Sequence, residues 1–187
     1  MERHPDRQDQ ALNLEALTDS FQPITGQAVT LRALRPDDQD IEHAFVSGLS
    51  ADTRHNRLLG GAKRITREYI ESLITIDYTR DMAIAATVML EDEETLIGVA
   101  RYVLVAPGAC EFAIVLADAW QGRGIGRRLM EKLASIARSR GLKTIYGDVL
   151  STNRHMLEMC RALGYSLGRH PEDPTVTRVT LSLAQGG

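Results

Sequence analysis

Residues 112–126 read Phe112-Ala113-Ile114-Val115-Leu116-Ala117-Asp118-Ala119-Trp120-Gln121-Gly122-Arg123-Gly124-Ile125-Gly126. An apolar run leads into a glycine-rich segment, and apolar residues then recur at Ile125, Leu129, Leu133 and Ile136. This is the pattern of a buried strand, a loop and an amphipathic helix. Glycines let a backbone approach a ligand closely and adopt positive φ. The unpaired N–H groups of a helix's first turn, with its dipole, favour phosphate oxygens. The segment therefore predicts a site for a phosphate-bearing cofactor.

The spacing narrows the choice. A dinucleotide fingerprint starting at Gly122 needs glycine at 127, where the chain has Arg127, and the Gly-Lys-Ser/Thr of a Walker loop is absent. What remains is Gln-x-x-Gly-x-Gly over Gln121–Gly126. This resembles the central motif of the GNAT superfamily of acetyl-CoA-dependent N-acetyltransferases. Asn153 with Met156, followed by Leu163-Gly164-Tyr165, is similar to that family's second signature. Upstream, Leu34-Arg35-Pro36-Asp37-Asp38, Phe45, Leu49-Ser50 and Glu111-Phe112-Ala113-Ile114 resemble the GNAT domain of bacterial protein lysine acetyltransferases of the Pat type. The resemblance covers residues 28 to 183. It implies the GNAT α/β fold, a mixed, mostly antiparallel sheet of about seven strands flanked by helices. Two central parallel strands splay apart there to hold the pantetheine arm.

A chain of 187 residues that is 43% hydrophobic can bury one sizeable core. We expect one domain over 28–187 behind an N-terminal extension, 1–27. With 22 basic and 25 acidic residues and a net charge of −3, nothing favours nucleic acid or a membrane surface as main partner. Cys110 and Cys160 show neither zinc-type spacing nor a disulfide framework, and the histidines at 4, 43, 55, 155 and 170 show no metal spacing. No metal is expected. Met1–Gln10 is polar without an apolar core, so a cytoplasmic, soluble protein is the expectation.

Within the extension, Leu14, Leu17 and Phe21 fall at helical spacing and predict a short helix or a frayed tail. A strand is expected at 29–34, then a helix opened by Pro36 with Phe45 on its inner face. Ser50 is a candidate cap for a second helix, and a third should start near Thr66 and use Ile70, Leu73 and Ile74. Runs at 82–90, 95–106 and 110–116, separated by the acidic turn Glu91–Glu94 and by Pro107-Gly108, predict an antiparallel meander. A helix stopped at Gly141, a strand at 144–150, a helix over 153–163 and a final hairpin complete the order.

The resemblance assigns roles. Backbone N–H groups of Gln121, Gly122, Arg123, Gly124, Ile125, Gly126 and Arg127 would hold the pyrophosphate of acetyl-CoA. Leu116 and its neighbours would pair with the arm through main chain, and free strand N–H groups would polarise the thioester carbonyl. Arg123, Arg127 and Arg128 would add charge-assisted contacts. Asn153 would bond the arm, though an asparagine there also suits a helix N-cap. A lysine amine, with a pKa of about 10.4, must lose a proton before it attacks. Glu111 is the candidate base, because burial at the start of an apolar strand would raise its pKa, and Pat-type enzymes carry a glutamate at the matching position. A strand-edge carboxylate paired with an arginine is the plainer alternative. Asp148 is the second candidate, expected to face solvent, and Asp118 is expected to be a turn residue. Many GNAT enzymes place a tyrosine seven residues after the signature asparagine to protonate the leaving thiolate. Here that residue is Cys160, a poorer donor that more often packs in a core. Tyr165 is expected in the core. The expected partners are acetyl-CoA and an amine acceptor, a protein lysine by preference, with a homodimer left open. A small-amine acetyltransferase and an acyl-CoA sensor without turnover are the alternatives. Arg54, Arg57 and Arg64 hint at an acidic acceptor or a solvated face.

Overall fold

The computed structural model describes residues 13–23, 26–60 and 66–184, except the side chains of Arg67 and Ile70. The polar start Met1–Gln10 and Arg64 lie outside these residues, as does the side chain of Ile70. Eight strands form one sheet: β1 (Asp19–Phe21), β2 (Val29–Ala33), β3 (Met82–Leu90), β4 (Glu93–Ala106), β5 (Ala109–Leu116), β6 (Thr144–Leu150), β7 (Ser166–Arg169) and β8 (Val176–Ser182). Their spatial order is β1-β2-β3-β4-β5-β6-β8-β7. Every pairing is antiparallel except β5 with β6. The helices are α1 (Gln39–Gly48), α2 (Ala51–Arg57), α3 (Arg67–Ile74), α4 (Ile125–Ser139) and α5 (Arg154–Ala162).

The eighth strand corrects the reading of the extension. Leu14, Leu17 and Phe21 do not share a helix: a 3-10 turn at Glu15–Leu17 runs into β1, which pairs with β2 through Asp19↔Leu31 and Phe21↔Val29. Edge pairing supplies hydrogen bonds that a single exposed helical turn cannot, and Leu17 and Phe21 still reach the core. Lys132 on α4 donates to Asp19 at 2.8 Å and ties the edge down.

Central strands are buried on both faces. In β3, Met82, Ile84, Ala86 and Val88 pack in the cluster with α4, while Ala83 and Ala85 pack in the one with α1 and α3, so the strand is apolar on both faces from Met82 to Ala86. The acidic turn is tight, with Glu91 at φ 50° and Asp92 at φ 66°, as a two-residue hairpin demands. On α4, Ile125, Leu129, Leu133 and Ile136 are all buried, as their spacing predicts. Burying each contributes about 1.5–3 kcal/mol. Ser50 caps α2 by accepting from Thr53 N–H, and Thr66 caps α3 by accepting from Tyr69 N–H.

Behind the meander lies a charge cluster. Arg32, 3% exposed, donates to both carboxylate oxygens of Asp38 at 2.7 Å and to Glu94 at 2.8 Å. Asp38 also accepts from Arg35 N–H at 2.7 Å, which fixes the chain between β2 and α1. Replacing one partner of a buried pair strands the other charge, at a cost of about 3–5 kcal/mol. Asp38→Ala should lower the unfolding free energy by that amount in urea titration, and a loss below about 1 kcal/mol would show the cluster to be incidental.

Candidate active site

β5 and β6 pair over three positions only: Ala109↔Thr144, Cys110↔Ile145 and Glu111↔Tyr146. Beyond them the strands diverge into a fork. Phe112 and Gly147 stand at its apex, where a Cβ on Gly147 would lie 2.6 Å from two atoms of the Phe112 ring. The ring fits over residue 147 because that residue has no side chain. Its other side meets Tyr165 edge-on, with centroids 5.6 Å apart and planes at 71°.

The fork is lined by main chain with unspent hydrogen-bonding capacity. Ala117 N–H donates to Ile97 C=O at 2.8 Å across the β4 edge of β5. By the two-residue period, Val115, Ala113 and Glu111 turn to that same edge. Ile114 and Leu116, beyond the last bridge at Glu111↔Tyr146, therefore direct their N–H and C=O groups into the fork. The carbonyl of Leu116 already accepts from Gln121 Nε2 at 3.1 Å, and that amide also donates to Thr53 at 3.2 Å.

At the open end of the fork sits the glycine loop. Gly122 has φ 72° and Gly124, the N-cap of α4, has φ 83°. The first bond of α4 runs from Arg128 N–H to Gly124 C=O at 3.1 Å, so among the described residues the amides from Gly122 to Arg127 have no backbone acceptor. A Cβ on Gly122 or Gly124 would meet nothing within 4 Å. Free amides, open space and a helix N-terminus fit a pyrophosphate. Ile125 contributes only its amide, its side chain being fully buried.

Three expectations about this loop change. Gln121 N–H donates to Asp118 C=O at 3.2 Å, so the free amides begin at Gly122. Arg123 lies over the Trp120 ring at 4.9 Å, Arg128 over Phe21 at 5.8 Å, and Arg127 pairs with Glu131 at 2.9 Å. Of the three arginines, only Arg127 lines the cleft. Asp118 is more than a turn residue. It accepts from Ser50 N–H (3.1 Å), Ser50 Oγ (2.7 Å) and Thr53 Oγ1 (2.8 Å), and the Ser50 hydroxyl above all holds its carboxyl below the usual range. It thereby clamps α2 against the approach to the loop. Nothing in the sequence flagged these partners, which lie 65 to 68 positions apart.

Fork and loop open into one cleft of about 430 Å³, which gathers Glu111, Leu116, Gln121, Gly122, Gly124, Gly126, Arg127 and Asn153. Asn153 accepts from Met156 N–H at 3.2 Å, the N-cap role, and it also lines the cleft. Met159, on the same helix, passes over Gly126, whose Cβ would sit 3.6 Å from the sulfur. Glu111 is half-buried at the closing point of the fork, and its carboxylate makes no hydrogen bond or ion pair among the described residues, so the arginine-paired alternative is not what forms. Asp148 does not face solvent as expected. Arg178 of β8 donates to both its oxygens at 2.9 Å, and His170 Nε2 is 3.3 Å away. That carboxylate is committed to an ion pair. On the α2 side the cleft is lined by Asn56 and Arg57, while Arg54 lines a smaller cavity.

Cys160 is fully buried, is not among the residues lining the cleft, and burial pushes its thiol up to about 11. Core packing describes it. Tyr165 is also a core residue, and burial raises its phenol.

A family model for the acetyltransferase (GNAT) family matches residues 61–165. The chain belongs to the GNAT family. A GNAT acetyltransferase of this kind carries out acyl-CoA-dependent N-acetylation, and the chain is an N-acetyltransferase. An acetyltransferase of Pseudomonas aeruginosa is 37% identical over 151 residues, covering 80% of this chain and 81% of the relative. The crystal structure of the GNAT domain of S. lividans PAT superposes with a TM-score of 0.81 at 24% identity, over 89% of this chain and 97% of that one. Spermidine N-acetyltransferase from Vibrio cholerae, solved with CoA and spermine, gives a TM-score of 0.67 at 20% identity, over 83% and 95%. These two likenesses establish the shared GNAT fold.

Gly124→Glu puts bulk and negative charge into the open loop of this GNAT domain. It should weaken acetyl-CoA binding more than 100-fold in calorimetry, while the positive φ costs only about 1–2 kcal/mol of stability. Unchanged affinity would remove the loop from the cofactor site.

Proposed function

We propose that this chain transfers the acetyl group of acetyl-CoA to the ε-amine of a protein lysine by direct attack, with Glu111 as general base. The observation that carries the proposal is the position of Glu111: an unpaired carboxylate where the fork closes, at the other end of the cleft from the free amides of the glycine loop.

Acetyl-CoA supplies the acyl group as an activated thioester. The amides from Gly122 to Arg127 hold its pyrophosphate, and the main chain of Ile114 and Leu116 with the Asn153 NH2 group orients its arm. Gln121 positions the Leu116 carbonyl. Glu111 takes the proton from the incoming ammonium, directly or through one water. With Cys160 sealed in the core, water protonates the leaving thiolate.

A protein acceptor is supported by the surface beside Glu111. Its register partner on β4 is Val103, and Val103 and Val105 are large apolar residues left exposed at 43% and 45%. They give a polypeptide a flat apolar surface next to the base. The strand start Glu111-Phe112-Ala113-Ile114 also resembles Pat-type enzymes. Both thiols are unpaired and buried, which suits a reducing compartment such as the cytoplasm. Among the described residues no helix is long and apolar enough to cross a membrane.

Purified protein incubated with isotope-labelled acetyl-CoA and a cell extract tests the acceptor: label on protein lysines supports the proposal, and label confined to the small-molecule filtrate overturns it. Glu111→Gln tests the base. Acetyl-CoA affinity should hold while turnover falls about 100-fold, with the rate climbing again at high pH as free amine accumulates. Unchanged turnover would dismiss Glu111.

A further inference from the structure

We propose that Phe112 sets the length of acyl chain that the fork accepts. The inference rests on the reading that acetyl-CoA lies along β5, and it assigns the wall that the acyl tail meets. An arm that starts at the glycine loop and pairs with Leu116 and Ile114 runs along β5 toward Phe112. The four steps from Leu116 to Phe112 cover about 13 Å at 3.3 Å per residue. The thioester end thus arrives where β5 and β6 begin to pair.

Strand parity then divides the space. Glu111 and Tyr146 lie on one face of the sheet, and Phe112 and Gly147 on the other. An amine deprotonated by Glu111 needs the first face free. The acyl tail is left with the second, and Phe112 closes it there.

The ring is a firm stop because it cannot swing away. A Cβ at residue 147 would already lie 2.6 Å from it, Tyr165 packs against it edge-on, and Phe112 is 5% exposed. Acetyl stops short of the ring, whereas two further methylenes run into it. In an apolar pocket one methylene is worth about 10–200-fold in discrimination.

Calorimetric Kd values for CoA, acetyl-CoA and butyryl-CoA, with thermal unfolding to verify the fold, test this on wild type, Phe112→Leu and Gly147→Ala. Wild type should bind butyryl-CoA at least tenfold more weakly than acetyl-CoA, and Phe112→Leu should bring the two within about threefold. Gly147→Ala drives the ring into the fork, so it should weaken acetyl-CoA while CoA itself binds as in wild type. A butyryl-to-acetyl ratio that is the same in wild type and folded Phe112→Leu would overturn the proposal. So would a Gly147→Ala protein that keeps the wild-type ratio of acetyl-CoA to CoA affinity, and this arm decides the matter if Phe112→Leu does not fold. Failure of wild type to bind CoA at all would instead refute the cofactor reading beneath it.

Discussion

Three residue pairs join β5 to β6, and the protein's chemistry depends on there being no more. A parallel pair that continued past Glu111↔Tyr146 would bond the two strands to each other and leave nothing for a ligand. Instead an aromatic ring beside a residue without a side chain keeps the strands apart, and every buried backbone group beyond that point must find another partner. The fork is an unfinished sheet whose missing bonds are suited to an amide-bearing cofactor.

The neighbouring elements act on the same gap. Gln121 turns back to hold the last carbonyl of β5, so the rim of the fork is rigid before anything binds. The loop after it keeps its amides free by two positive φ angles, and α4, buried along one side in the core, fixes the direction in which those amides point. Division of the sheet into two faces follows from strand alternation alone. One face carries the Glu111 carboxylate, and the other is packed against α4 and α5.

How much of this could be read from the sequence depended on the range of the interaction. The loop, α4 and the Asn153 cap were legible because glycine spacing, helical periodicity and capping are local rules. The central strands were legible because burial on both faces leaves long apolar runs such as Met82–Ala86. Strand β1 was not, since Leu14, Leu17 and Phe21 satisfy a helical period by coincidence and only pairing with a strand ten residues on selects the extended form. Asp148 was misread because its partner Arg178 lies on β8, which enters the sheet between β6 and β7 out of chain order. The clusters Arg32–Asp38–Glu94 and Ser50–Thr53–Asp118 left no local trace, for their members are polar residues of the kind that usually face water. The free state of Glu111 was likewise a matter of which arginines the fold brings near.

The clamp at Asp118 has a consequence for how such enzymes diversify. Helix α2 lines one side of the cleft, yet its hydrogen bonds to the approach of the glycine loop run through two hydroxyls, one amide and the Gln121 side chain, all at its N-terminal end. The remainder of the helix, including Asn56 and Arg57, is free of that duty. Changes at Asn56 would therefore reshape the cleft wall without touching those bonds, as long as Ser50 and Thr53 stay in place to meet Asp118.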